Sequence, residues 1–289
     1  MEEFTMQAKD GLPLSVALSE VAEPRAVVQI IHGMKEHKER YYEFMQVLNQ
    51  SGFTAIVSDN RGHGKSLNEQ FPLGYMDGCQ QIVDDQFIIT KFIKEKYPGK
   101  PLYLFGHSFG SMLARCYLQE HDDEIEKLVL SGTAGYIKFV KLGHAFGKFL
   151  TRLGGKQGRS KILQKAVDGD DDTWVCSNPE VMAAYRSDPL CSGYKYMNGA
   201  NLTVVESVTE LHKYEKYQCK NPELKILSIT GAEDPVTRGE KGLEDSLASL
   251  RKVGYQNLTS IVYPHMKHEV LNELGKEQVY EDILQFYLK

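Results

Sequence analysis

The chain has 289 residues, 42% hydrophobic and 25% charged, ordinary globular material for one large domain or two small ones around a sizeable core. A net charge of -5 excludes a general nucleic-acid binder, which needs a basic face to displace phosphate counterions. The amino-terminal MEEFTMQAKDG lacks the basic start and apolar run of a secretory signal, no stretch approaches the ~20 apolar residues of a membrane span, and five scattered cysteines form no C-x-x-C pair, so a soluble cytoplasmic protein is expected.

In chain order, short apolar runs recur at 26–31, 54–58, 102–105, 127–130, 224–229 and 259–263, most of them followed by Gly-rich turns and amphipathic stretches. Strands buried on both faces read this way, and their alternation with helices predicts an α/β fold with a mainly parallel sheet. The first run leads into His32, Gly33 and Met34. After the second comes NRGHGKS, which ends like a phosphate-binding loop; that motif needs glycine five residues before Gly64, where Asp59 stands. The segment therefore reads as a tight turn in which Gly62 and Gly64 allow close packing and Asp59 anchors the loop. His32, His37 and His63 have no H-E-x-x-H or comparable partner, so neither a metal nor another cofactor is expected.

The third run opens into Gly106-His107-Ser108-Phe109-Gly110, a G-x-S-x-G in which strand gives way to helix. A serine presented on so sharp a turn needs small neighbours two positions either side, and the helix that starts there offers free amides and a favourable dipole for developing negative charge. Its hydroxyl needs a base and an orienting third group. Two later strand ends supply them. GAEDPV carries Asp234, favoured over Glu233 because Pro235 fixes the turn, and PHMKHEVLNE carries His268, favoured over His265, which sits too close to the strand end. His107 adjoins the serine but is expected to pack beneath the turn. The amides of Phe109 and Met34 are the candidates to receive an oxyanion.

The middle of the chain differs. Residues 134–167 hold eight basic side chains and no acidic one, and Asp168, Asp170, Asp171 and Asp172 follow abruptly. No buried-strand run appears between 131 and 220, so residues 134–206 are expected to form a helical cap inserted in a core made of 1–133 and 207–289. Within it Phe139, Leu142, Phe146, Phe149 and Leu153 fall at helical spacing among Lys138, Lys141, Lys148 and Arg152. Such a stripe either covers the core, the reading we favour, or faces lipid with a basic rim toward anionic head groups.

HGMKEHKERY (32–41), DNRGHGKS (59–66), GHSFGS (106–111), SDPL (187–190), GAEDPV (231–236) and HEVLNE (268–273), in this order, resemble the α/β-hydrolase superfamily, and within it the monoacylglycerol lipase and lysophospholipase branch. The resemblance covers nearly the whole chain. It implies a sheet of about eight strands with an inserted helical cap, and hydrolysis of lipid-like esters through a serine acyl-enzyme without cofactor. It also implies Ser108, Asp234 and His268 as triad, with Met34 and Phe109 as oxyanion amides. Lys35 stands where that branch often has glycine, and 138–172 departs from its pattern. The same scaffold also serves short-chain carboxylesterases, thioesterases and aminopeptidase-like amide hydrolases, and a non-catalytic ligand binder is a further alternative.

Overall fold

The computed structural model describes residues 1–135, 137–169 and 171–289; Asp170 of the acidic run lies outside them. Eight strands form one sheet in the order β1-β2-β4-β3-β5-β6-β7-β8. β1 (Glu2–Gln7) and β2 (Pro13–Ser19) are antiparallel additions at one edge, and β3 (Val27–Ile31), β4 (Thr54–Ser58), β5 (Leu102–His107), β6 (Lys127–Ser131), β7 (Lys225–Gly231) and β8 (Leu258–Tyr263) run parallel. The register aligns Ile31 with Gly106, His107 with Ser131, and Gly231 with Tyr263. The loops that leave these carboxyl ends therefore gather at one rim of the sheet, where open α/β folds bind their ligands.

The six parallel strands correspond to the six apolar runs; helices cover both faces of β3 to β7, whereas β8, at the sheet edge, exposes Thr259, Ser260 and Val262. On one face Val27, Ile31, Leu104, Leu128 and Leu130 join a cluster with α2 (Cys79–Lys96) and α3 (Phe109–His121). On the other, Val28, Ile30, Phe105, Val129 and Ile229 pack with α1 (Tyr42–Gln50) and α9 (Lys276–Leu288). Alternate residues go to opposite clusters, the period of two that a strand imposes. α3, the helix that follows Ser108, is buried over nearly its whole length. Each fully buried aliphatic side chain contributes roughly 1.5–3 kcal/mol, so the helix is a rigid support for whatever its first turn presents.

Between β6 and β7 the chain is helical: α4 (Val140–Gly154), α5 (Lys161–Asp168), α6 (Pro179–Ser187) and α7 (Asn198–Glu210), with α8 (Gly239–Val253) after β7. α7 runs through position 206, and its Ala200, Val204 and Val208 belong to the sheet core. The favoured reading of the apolar stripe is corrected here. α4 turns Val140, His144, Gly147 and Thr151 inward, whereas Phe139, Leu142, Phe146, Phe149 and Leu153 are 52–71% exposed. The reason is close approach: a Cβ on Gly147 would stand 3.2 Å from Leu202 Cδ1, so α4 lies against α7 through small residues and its bulky face has only the outside left.

Candidate active site

Ser108 begins at the backbone. The residue has φ 53° and ψ -120° between β5 and α3, a conformation L-residues reach at a cost of about 1–2 kcal/mol. Both flanking glycines are required. A Cβ on Gly106 would meet Gly110 O at 2.6 Å, and one on Gly110 would meet Ile31 O at 2.1 Å. The Ser108 amide donates to Ser131 O on the next strand (2.8 Å), and its carbonyl receives the Ser111 amide (2.9 Å), which locks the turn.

Asp234 lies in the loop after β7. Its Oδ1 accepts the Val236 amide at 2.8 Å, and its Oδ2 accepts the hydroxyls of Thr237 (2.9 Å) and Thr230 (3.1 Å). The loop carrying His268 is laid over Gly231, where a Cβ would strike Lys267 O at 2.1 Å, and it is pinned as Glu233 N donates to Met266 O. His268 Nδ1 then sits 3.0 Å from Asp234 Oδ1 and Nε2 2.7 Å from Ser108 Oγ. All three side chains are buried. Burial opposes ionisation of Asp234, but the facing imidazole and the hydrogen bonds outweigh it and hold the carboxyl at about 2. Burial likewise opposes protonation of His268, and the Asp234 carboxylate overcomes it, raising the ring above its usual 6.5. A proton-free carboxylate can only accept, so the ring proton sits on Nδ1 and Nε2 is left to take the serine's.

The loop after β3 closes over the serine. The Gly33 backbone stands so near that its Cβ would be 3.1 Å from Ser108 Cβ. His32 accepts the Asn60 amide on Nε2 (2.8 Å) and donates from Nδ1 to Gly33 O (2.7 Å), which fastens the loop from below. The amides beside Met34 are occupied: Gly33 N donates to Glu36 and Lys35 N to Tyr196 Oη. Those of Met34 and Phe109 have no acceptor among the described residues. Two unsatisfied donors beside the serine are what a tetrahedral oxyanion needs.

Other candidates fall elsewhere. His107 points beneath the turn, its Nδ1 3.1 Å from Ser131 Oγ, and burial keeps it neutral by lowering its pKa to about 4. His265 is exposed. Asp59 receives the amides of Lys38 (2.7 Å) and Lys65 (2.8 Å), the anchoring role expected of it. His63 is bonded to Tyr196 Oη. His37, Asp188 and Cys191 are the one group among the described residues whose donors could converge on a metal ion, but His37 Nε2 and Asp188 Oδ2 already bond each other at 2.8 Å.

A buried ionic network joins two loops of the site. Arg40 grips Glu269 with two hydrogen bonds of 2.7 and 2.6 Å and reaches Glu36 at 3.0 Å; Glu36 also accepts Tyr41 Oη and the Gly33 amide. It ties the His268 loop to the Met34 loop, and burial notwithstanding, Arg40 holds Glu269 at about 2. Its members recur within the E-H-x-x-R and H-E segments already quoted. Lys35 extends to an ion pair with Asp168 on α5. Above Ser108 and His268 opens a cavity of about 720 Å³, walled by Trp174, Val175, Tyr185 and polar chains that include Gln164 and Lys195. Site and cavity together can perform acyl transfer: a nucleophile, a base, an orienting carboxylate and two free donors converge on one space.

The family model for serine aminopeptidase, S33, matches residues 22–275. The chain belongs to this family. As a serine aminopeptidase S33 family member it has the α/β-hydrolase fold: a carboxyl esterase from Bacillus coagulans in complex with glycerol superposes with a TM-score of 0.87 over 99% of this chain and 97% of that one, at 26% identity. Among sequence relatives, a monoacylglycerol lipase of Mycolicibacterium smegmatis is 27% identical over 270 residues, 90% of this chain and 87% of its own length. A monoglyceride lipase homolog of Monkeypox virus is 38% identical over 196 residues, 66% of this chain and 65% of its own. No helix among the described residues is long and apolar enough to cross a membrane.

Proposed function

We propose that this chain is a serine hydrolase that cleaves carboxylic esters of lipid-like substrates, of the monoacylglycerol or lysophospholipid kind, through an acyl-enzyme on Ser108. The hydrogen-bonded line from Ser108 through His268 to Asp234, opening on the cavity, carries this reading. Ser108 Oγ attacks the ester carbonyl carbon as its proton passes to His268 Nε2, and Asp234 stabilises the imidazolium. The Met34 and Phe109 amides receive the oxyanion, each contributing ~3 kcal/mol. Collapse breaks the bond to the alcohol oxygen, which takes the proton from His268. Water, activated by the same base, then attacks the acyl-serine and releases the acid. The relatives' names and the esterase likeness agree with this chemistry.

In this reading residues 134–206 act as a cap on a core of 1–133 and 207–289, and α4 is the face that meets the lipid. Its exposed Leu142, Phe146, Phe149 and Leu153, flanked by Lys141, Lys148 and Arg152, suit an anionic lipid surface, apolar chains below and head groups beside. A reducing, cytoplasmic setting agrees with five unpaired thiols. A fluorophosphonate should label the protein and fail on Ser108→Ala; undiminished labelling of that variant refutes the assignment. Esters of graded acyl length, assayed beside monoacylglycerol, a thioester and an aminoacyl amide, test the substrate class, and a preference for the amide would favour the activity in the family's description.

A further inference from the structure

Trp174 is the single tryptophan of the chain, on the segment between α5 and α6. Its ring packs on the His268 imidazole with centroids 5.1 Å apart and planes at 55°. The His107 ring also packs against that imidazole, 4.8 Å away at 46°. Hydrogen bonds to Asp234 and Ser108 hold the two ring nitrogens but bend readily, and the rings packed against the imidazole add resistance to its rocking about χ1 and χ2.

The segment that brings Trp174 there is fastened to the residues on either side of His268. Lys267 Nζ donates to Thr173 O (2.6 Å), and the Glu269 amide to Val175 O (2.9 Å). Glu273 Oε1 receives both the Ser177 amide (2.8 Å) and the Lys267 amide (3.0 Å). The indole N–H is spent on Asp171 O at 2.9 Å rather than on the imidazole, so what the tryptophan offers His268 is its ring. An aromatic face attracts a cation, and the imidazole becomes one each time it takes the serine proton. Other charged groups about the ring are Asp234 from the β7 loop, Glu269 from its own loop and Glu36 from the β3 loop, all fixed by bonds described above.

We propose that Trp174 is a positioning residue for His268: it limits the tilt of the ring and stabilises the imidazolium, so that the base is fully competent only while the α5–α6 segment is seated on the His268 loop. This rests on the ester-hydrolase reading. Trp174→Ala is expected to lower kcat about 10- to 100-fold with little change in KM, the loss that a slackened reacting group produces. Trp174→Phe, which keeps an aromatic face, is expected to regain most of it. A spectroscopic arm needs no variant at position 174. Imidazolium quenches a neighbouring indole, so the emission of this lone tryptophan should titrate with the same midpoint as the acid limb of kcat/KM, and His268→Gln should abolish that titration. The proposal is overturned if Trp174→Ala keeps more than a third of kcat, if its loss lies in KM alone, if the Phe variant restores nothing, or if the emission ignores His268. Should Trp174→Ala fail to fold, the Phe variant and the emission decide. A wild-type protein that neither turns over esters nor reacts with a fluorophosphonate refutes the hydrolase reading instead, while the emission still tests the contact.

Discussion

Gly132 offers the sharpest test of the site's geometry. It follows β6 with φ +59°, and a Cβ there would lie 2.8 Å from His268 Cε1, 2.9 Å from Nδ1 and 3.4 Å from Asp234 Oδ2. Carbon atoms rest at about 3.5–4.0 Å, so Gly132→Ala forces the imidazole to retreat by roughly half an ångström or more. The ring cannot retreat freely, because the His107 and Trp174 rings pack against it. Both of its hydrogen bonds, 2.7 Å to Ser108 and 3.0 Å to Asp234, must stretch or bend. A misplacement of about 1 Å can cost about 10²-fold in rate, so about half of that is expected to cost on the order of 10-fold. Left-handed backbone adds about 1 kcal/mol of instability for alanine, a few degrees in Tm. We expect kcat/KM to fall about 10-fold or more, with a protein still folded by circular dichroism and melting only slightly earlier. Fluorophosphonate labelling should slow in parallel, since it uses the same base. Activity within threefold of wild type, in a protein whose melting is unchanged, would refute the placement of His268 against Gly132.

Because His268 must be neutral to accept a proton, and Asp234 raises its pKa, kcat/KM should decline as pH falls through a midpoint above 6.5. Asp234→Asn removes the cause, so the midpoint should move down while the rate drops by about 10⁴; a pH profile without an acid limb contradicts His268 as base. Glu36→Ala leaves the Gly33 amide and Tyr41 Oη without their acceptor in a buried site, and urea titration should show a loss of about 2–3 kcal/mol. Phe146→Asp with Phe149→Asp should weaken sedimentation with anionic vesicles at least tenfold, since each lost side chain withdraws up to roughly 1.5–3 kcal/mol of burial, while hydrolysis of a monomeric short ester stays within twofold. Equal vesicle binding would remove α4 from the lipid-facing role.

The inner strands are legible because burial on both faces writes a mostly apolar run, broken only by single buried polar residues such as Gln29 and Ser228, whichever cluster each residue joins. β1 and β2 do not meet the same criterion. β1 is an edge strand whose alternate residues are exposed, so Phe4 and Met6 stand among Glu2, Glu3 and Thr5 and no run forms. The α4 stripe shows the complementary weakness. Spacing reveals that a helix has an apolar face but says nothing of what that face meets. The deciding signal lay opposite, at Gly147, whose missing side chain lets Leu202 of α7 approach.

In the site, local chemistry was readable and long-range pairing was not. Ser108, Asp234 and His268 each follow a strand, and parallel strands of matched register deliver their loops to one rim, so strand-end position alone narrows the choice to a few residues. The Arg40–Glu269 pair joins positions 229 residues apart, and Trp174 reaches His268 across the segment between β6 and β7. Neither contact has a local signature, because a charged or aromatic residue is equally at home in solvent until the fold supplies its partner. Both hold the His268 loop from outside the triad. A sequence can thus carry the nucleophile, base and carboxylate in readable form and still conceal what keeps the base in reach, so a neighbour with an intact triad but substitutions at 36, 40, 174 or 269 should differ in rate more than in the chemistry it performs.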